Sequence, residues 1–166
     1  MTKIMLRILV LSAITTAPAL NVLAQGTDFS STWNLDRESS ELPQGRRGDR
    51  GGGGVVPETL IITQTATSLS AEQQSEDQSR TVEYALDGTE TTVETDNGTL
   101  TVSANWDGAV LVTSGIQNLE TRRDNFSIKL TERRTLNSDG QTLTTKIILD
   151  TPRGDQTFRL VYQKEM

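Results

Sequence analysis

The stretch TLTVSANWDGAVLVTSG (Thr99–Gly115) has the pattern of two β-strands joined by a tight turn. Apolar and polar residues alternate along both arms, as in a strand with one buried and one exposed face. Asp107-Gly108 lies between the arms, and its glycine can adopt the positive φ that a two-residue hairpin turn requires. The stretch therefore predicts a β-hairpin.

The same alternation recurs along the chain beyond residue 30, and threonine, valine and isoleucine dominate it. Asp87-Gly88 and Ser138-Asp139-Gly140 repeat the turn chemistry, and Ala66-Thr67 is a further short connection. The ten predicted strands are residues 31–36, 59–65, 68–74, 80–86, 91–95, 99–106, 109–115, 126–136, 142–150 and 156–164.

Sequential antiparallel strands must either close into a barrel or leave their edges exposed. We predict an all-β fold, a single antiparallel up-and-down β-barrel (calyx) of about 8–10 strands, with a two-sheet β-sandwich as the alternative. Alternate connections of such a meander lie at the same end, so the four tight turns should close one end. The other end should carry longer and looser loops, at residues 37–58, 75–79, 96–98, 116–125 and 151–155.

The N-terminal residues have the layout of a secretory signal peptide. Lys3 and Arg7 flank a charge-poor run at residues 8–20, which is too short and too interrupted to span a bilayer. We expect residues 1–24 to be a signal peptide cleaved after Ala24, with residues 25–166 forming the barrel domain. The protein is then exported, to the periplasm or the extracellular medium, and has no membrane span.

Composition excludes several classes of function. The chain has no cysteine and no histidine, which removes the common zinc sites and the histidine-dependent nucleophile systems. The leader holds two of the 16 basic residues, so 14 basic and 22 acidic residues remain after it, a net charge of −8. That charge disfavours nucleic acid as a partner. We expect no metal, no cofactor and no catalytic role.

One predicted strand breaks the alternation. Phe126 and Ile128 are followed at the same inward parity by Glu132 and Arg134. Because unpaired charges are costly in a protein interior, the two charges either pair with each other or are turned outward by a β-bulge near Thr131. A third option is that Arg134 contacts an anionic ligand head group. The candidate ligand-binding residues of the interior are Tyr84, Trp106, Phe126, Ile128, Glu132, Arg134 and Tyr162.

The stretch LPQGRRGDRGGGGVVPE (Leu42–Glu58) dominates the connection at residues 37–58. Its glycines and prolines predict a mobile loop rather than a helix. It is interpreted as a plain flexible loop, as a lid over the barrel mouth with a preference for anions, or as a docking site for a protein partner. The candidate binding residues at this end are Arg46, Arg47, Arg50, Arg122 and Arg123.

The segment FSSTWNLD (Phe29–Asp36) resembles the opening strand of lipocalin-like secreted bacterial β-barrel domains, although Ser31 replaces the glycine of their Gly-x-Trp motif. The resemblance implies a calyx that holds a small apolar molecule, with Trp33 closing one end. It also implies that a cationic side chain of the last strand, Arg159 or Lys164, packs over that tryptophan. Similar strand-turn-strand segments are residues 82–94, 106–114 and 131–164.

Two functions agree with these observations. The first is an exported soluble binding protein that holds a small apolar or amphipathic molecule in the barrel, with an anionic end group as one option. The alternative is a protein–protein interaction or inhibitor module of the cell envelope, which uses the long loops and has a filled barrel as its scaffold. Carboxylates such as Glu83 and Glu94 have no spacing that distinguishes a hydrolase from a solvated face.

Overall fold

A computed structural model describes residues 26–42, 56–76, 78–95, 98–120, 125–152 and 154–166. The ten predicted strands are all present in these ranges, and most of their ends agree within two residues. The strands are β1 (Ser31–Leu35), β2 (Thr59–Gln64), β3 (Ser68–Ser75), β4 (Gln78–Ala85), β5 (Thr91–Thr95), β6 (Gly98–Asp107), β7 (Val110–Glu120), β8 (Asn125–Leu136), β9 (Thr142–Thr151) and β10 (Gly154–Lys164).

The strands form one antiparallel sheet in the order β4-β3-β2-β1-β10-β9-β8-β7-β6-β5. The first and last strands pair, with Trp33 opposite Lys164, so the sheet curls into a cylinder. Strands β4 and β5 are the two edges of the sheet and approach each other without a backbone ladder. The predicted up-and-down barrel is therefore confirmed as a nearly closed one, and the two-sheet alternative is wrong.

Tight turns close one end of the barrel, as predicted. Gly88, Gly108 and Gly140 have φ of 86°, 62° and 69°, the left-handed conformation that these turns require. In the described part of the chain there is no helix long and apolar enough to cross a membrane.

The opposite end has the five predicted connections, but most of them are shorter than predicted. Besides the long connection between β1 and β2, the strand bounds leave residues 76–77, 96–97, 121–124 and 152–153 between strands. The prediction of long loops at 75–79, 116–125 and 151–155 is wrong because the strands continue through polar residues. In β7, for example, the ladder to β8 extends to Glu120, which pairs with Asn125.

The register of β8 is continuous along both of its neighbours. Glu132 lies opposite Thr113 of β7 and Ile147 of β9, and Arg134 lies opposite Thr145 of β9. The predicted β-bulge near Thr131 is therefore excluded. Both charged side chains point into the barrel.

Aromatic side chains plug the turn-closed end. Trp33 is buried, and its Nε1 donates a hydrogen bond to the carbonyl oxygen of Phe29 at 2.9 Å. The Phe29 ring stacks on Trp106 with 5.9 Å between ring centroids. Lys164 Nζ lies 5.9 Å from the centre of the Trp33 ring, so Lys164, rather than Arg159, is the cation of the last strand that covers this tryptophan. Arg159 points outward and pairs with Glu41.

A glycine on the inner face of β7 allows a close approach to β6. A Cβ atom on Gly115 would lie 2.6 Å from the carbonyl oxygen of Thr101 and 2.7 Å from Val102 Cγ1. We expect Gly115→Ala to lower the free energy of unfolding by about 1–3 kcal/mol, the cost of inserting a methyl group where β6 is already in close contact. Urea denaturation measures this loss. Ser114→Ala, on the exposed face one residue away, should stay within about 0.5 kcal/mol of the wild type; equal effects would contradict the steric argument.

Candidate functional site

The barrel encloses a cavity of about 130 Å³. Aliphatic and polar side chains share its walls, and the inward parity of the strands places leucine and isoleucine there. The apolar residues that line it between its two ends are Leu60, Leu100, Ile128, Leu130, Ile147, Leu149, Phe158 and Leu160.

An ion pair lies at the inner end of this cavity. Arg134 Nη2 donates a hydrogen bond to Glu132 Oε2, and the two side chains are only 3% and 11% exposed. Arg134 Nη1 donates a second, long hydrogen bond to Thr113 Oγ1 at 3.4 Å. The guanidinium lies 5.3 Å from the centre of the Tyr84 ring, within cation–π range. The two charges of β8 thus pair with each other, as one of the three interpretations predicted.

Electrostatics keep Arg134 charged and the neighbouring phenols neutral. Burial lowers the pKa of Arg134, but the charge of Glu132 and the nearby Tyr84 raise it more, so the net shift is upward. Burial, with a smaller contribution from Glu132, raises the pKa of Tyr162 well above its usual value. Burial likewise raises the pKa of Tyr84, although the charge of Arg134 opposes the shift. Among the described residues that line the cavity, the charged groups are Glu132 and Arg134, which are opposite and paired, and Arg80 at the mouth.

Two buried polar atoms beside the ion pair have no hydrogen-bond partner among the described residues, namely Arg134 Nε and Thr145 Oγ1. Arg134 and Thr145 face each other across the β8–β9 ladder, and both line the cavity. Buried polar atoms without partners are rare, so each such atom calls for an explanation. Here the donor and the hydroxyl belong to two residues that are paired across a ladder at the wall of the cavity.

The mouth of the cavity is formed by Val56 and Pro57 of the long connection and by the polar side chains of Gln73, Arg80 and Gln117. The carbonyl oxygen of Pro57 accepts a hydrogen bond from the Tyr162 hydroxyl at 3.2 Å. Residues 56–57 therefore border the cavity directly.

The first and last residues of the long connection between β1 and β2 contact each other next to the mouth. Arg37 Nη2 lies 2.6 Å from Glu58 Oε1, and the Leu35 amide donates to the Glu58 carbonyl oxygen at 2.8 Å. Further along the same connection, Glu41 pairs with Arg159 of β10 through two backbone hydrogen bonds. The predicted loop at 37–58 thus starts and ends at fixed points of the barrel wall. The predicted candidates Arg46, Arg47 and Arg50 fall outside the described residues.

The structure brings together most of the predicted interior residues. Ile128, Glu132, Arg134 and Tyr162 line the cavity, and Tyr84 contacts Arg134. Two others lie elsewhere. Trp106 belongs to the aromatic plug because it stacks on Phe29, and Phe126 lies toward the far end of β8, half-buried against the core and away from the cavity wall. The candidates Arg122 and Arg123 fall outside the described residues.

The prediction missed Thr145 as a site residue. The sequence did contain a sign of it, because Thr145 is a polar residue at an inward position of β9, between the inward residues Leu143 and Ile147. Val56 and Pro57 carry no comparable signal, since only the tertiary fold places them at the mouth. In the described ranges, no three acidic side chains are grouped so that they could hold a metal ion.

Comparisons with known proteins give the class of fold. No protein-family model matches the sequence, and no curated protein matches it. Many solved structures are similar, and three of them, described next, each align over more than 80% of this chain. A secretary abundant heat soluble protein from Ramazzottius varieornatus has 16% identity and a TM-score of 0.59, over 85% of this chain and 98% of that one. The REP1-NXSQ fatty acid transporter has 15% identity and a TM-score of 0.56, over 83% and 96%. Zebrafish ileal bile acid-binding protein, in complex with cholic acid, has 13% identity and a TM-score of 0.53, over 82% and 98%.

The fold is therefore that of the calycin-like up-and-down β-barrels. At identities this low the similarity establishes architecture, which confirms the expected lipocalin-like barrel. The bacterial and secreted origin that the resemblance implied remains a prediction.

Proposed function

We propose that the protein binds a small apolar or amphipathic molecule inside the barrel. The observation that carries this proposal is the internal cavity, which has aliphatic walls, a neutralised ion pair at its inner end and two unpartnered polar atoms beside it. Ligand pockets typically combine apolar walls with placed polar groups, and both are present here. The described relatives in fold support the proposal, since one is a fatty acid transporter and another is complexed with cholic acid.

The cavity volume limits the size of the bound molecule. At about 130 Å³ it is close to the roughly 150 Å³ of an engineered apolar cavity that holds benzene. A molecule of about that size fits within the walls as they stand. A longer apolar chain would have to extend through the mouth, past Val56 and Pro57.

We further propose that the protein is a soluble exported one, acting in the periplasm or the extracellular medium after removal of residues 1–24. The layout of those residues supports this part of the proposal. A preference for anions at the rim would depend on Arg46, Arg47 and Arg50, which fall outside the described residues. Inside the barrel the charge of Arg134 is already balanced.

Binding is favoured over the other candidate functions. A pure interaction module would use a filled barrel as scaffold, whereas this barrel contains a cavity. Catalysis by the buried carboxylate is disfavoured because Glu132 is already engaged by Arg134.

Native mass spectrometry of the protein purified from its own host tests the proposed function. We expect a bound small molecule in the wild type, and loss of that molecule in Ile147→Phe, because the larger side chain would occupy the cavity. Ile148→Phe is the matched control, since Ile148 is the next residue of β9 and is absent from the cavity wall. A wild-type protein that carries nothing and binds no added toluene would contradict the proposal.

A further inference from the structure

The inner end of the cavity has no net charge to offer a ligand. Glu132 contributes one negative charge and Arg134 one positive charge, and the two side chains are paired. Tyr84 lies beside the guanidinium and Tyr162 lines the cavity, both as neutral phenols, and Thr113 and Thr145 are uncharged. The other charged residue that lines the cavity, Arg80, is exposed at the mouth. A ligand anion at the inner end would therefore meet the carboxylate of Glu132 as well as the guanidinium.

The two buried atoms without a hydrogen-bond partner, Arg134 Nε and Thr145 Oγ1, differ in whether they can donate or accept. Arg134 Nε carries an N–H group that can only donate, whereas the Thr145 hydroxyl can donate or accept. The two residues are directly opposite on neighbouring strands, so their Cβ atoms are about 5 Å apart. One oxygen atom that accepts from Nε and bonds to the hydroxyl would satisfy both groups.

Resting on the proposed function, we infer that the polar end of the ligand is an uncharged oxygen group, a hydroxyl or a carbonyl. This oxygen accepts a hydrogen bond from Arg134 Nε and forms a second one with Thr145 Oγ1. The apolar part of the ligand lies against the aliphatic walls toward the mouth. A carboxylate is disfavoured at this position because Glu132 already balances the guanidinium, and a second anion in a buried site raises the energy of both.

Three probes of similar shape separate these possibilities, namely toluene, benzyl alcohol and benzoate. Isothermal titration calorimetry at neutral pH gives their dissociation constants with the full-length protein. We expect the wild type to bind benzyl alcohol at least tenfold more tightly than benzoate.

The Thr145→Val variant tests the hydroxyl contact. Valine has nearly the shape of threonine and favours β-strands, and the replacement removes an unpartnered buried hydroxyl, so the fold is preserved. The affinity for benzyl alcohol relative to toluene should fall by about tenfold, the upper range of the net contribution of one hydrogen bond. Thr145→Ser keeps the hydroxyl and should leave that ratio within about twofold of the wild type.

Benzoate binding as tight as that of benzyl alcohol would overturn this inference while leaving the proposed function intact. An unchanged ratio of benzyl alcohol to toluene in Thr145→Val would do the same. If none of the three probes binds and nothing co-purifies from the host, the proposed function fails together with the inference.

Discussion

Replacing Glu132 by glutamine should lower the free energy of unfolding by about 3–5 kcal/mol, which is the usual cost of removing one partner of a buried ion pair. The replacement keeps the size of the side chain but leaves the charge of Arg134, which is 3% exposed, without a counter-ion. Urea denaturation of both proteins measures the difference. Added benzoate should restore more stability to the variant than to the wild type, because it supplies the missing negative charge.

An exposed ion pair beside this site provides the matched control. Arg133 and Asp107 are joined at 2.7 Å on the outer face of the barrel, with side chains 40% and 68% exposed. Asp107→Asn should therefore change stability by no more than about 1 kcal/mol. Equal losses in Asp107→Asn and Glu132→Gln would show that burial does not decide the energetics of the inner pair.

The double variant Glu132→Leu/Arg134→Met separates stability from recognition. Apolar replacement of a whole buried ion pair is often neutral or stabilising, by about 1–4 kcal/mol. We expect this variant to have at least the free energy of unfolding of the wild type in urea denaturation, and to lose the preference for benzyl alcohol over toluene. Such a result would indicate that the pair serves ligand recognition rather than stability.

Trp33→Ala should cost about 3–5 kcal/mol of folding stability, as removal of a large buried aromatic side chain does. The indole is 1% exposed, and its Nε1 is hydrogen-bonded to the carbonyl oxygen of Phe29, so alanine would leave both a void and an unpaired acceptor. Thermal and urea unfolding measure the loss.

Lys164→Gln is the control for the closed end. It removes only the cation above the Trp33 ring, at 5.9 Å, and should cost about 0.5–1 kcal/mol. A Trp33→Ala protein as stable as Lys164→Gln would contradict the assignment of Trp33 as the centre of the aromatic plug.

Local patterns were sufficient to predict the strands, their antiparallel order and the closed end. Side-chain alternation of period two is a property of a single strand, and a positive φ at Gly88, Gly108 and Gly140 is a property of a single turn. Parity alone also placed Glu132 and Arg134 inside the barrel. The cost of an unpaired buried charge left mutual pairing, a β-bulge or contact with an anionic ligand group as alternatives, and the structure shows the pairing.

The features that the sequence did not reveal depend on contacts between distant segments. Trp106 has inward parity, but residues 26–30 pack beneath it, so it belongs to the plug rather than to the cavity. The ends of β7 and β10 that lie near the mouth carry few apolar residues, and backbone hydrogen bonds hold their ladders there. Because the prediction relied on apolar alternation, it made these two strands too short. A cavity depends on how side chains fill the space between strands, which no pattern of residue types records.

The pairing of β1 with β10 has a consequence for how the molecule forms. The wall is completed by backbone contacts between the first and last strands, for example Trp33 with Lys164, whereas every other ladder joins strands that are consecutive along the chain. Contacts of such long sequence separation slow folding, because chain entropy must be lost before they form. The consecutive hairpins can form as the chain is synthesised, whereas the pairing of β1 with β10 must wait until the last strand has been made.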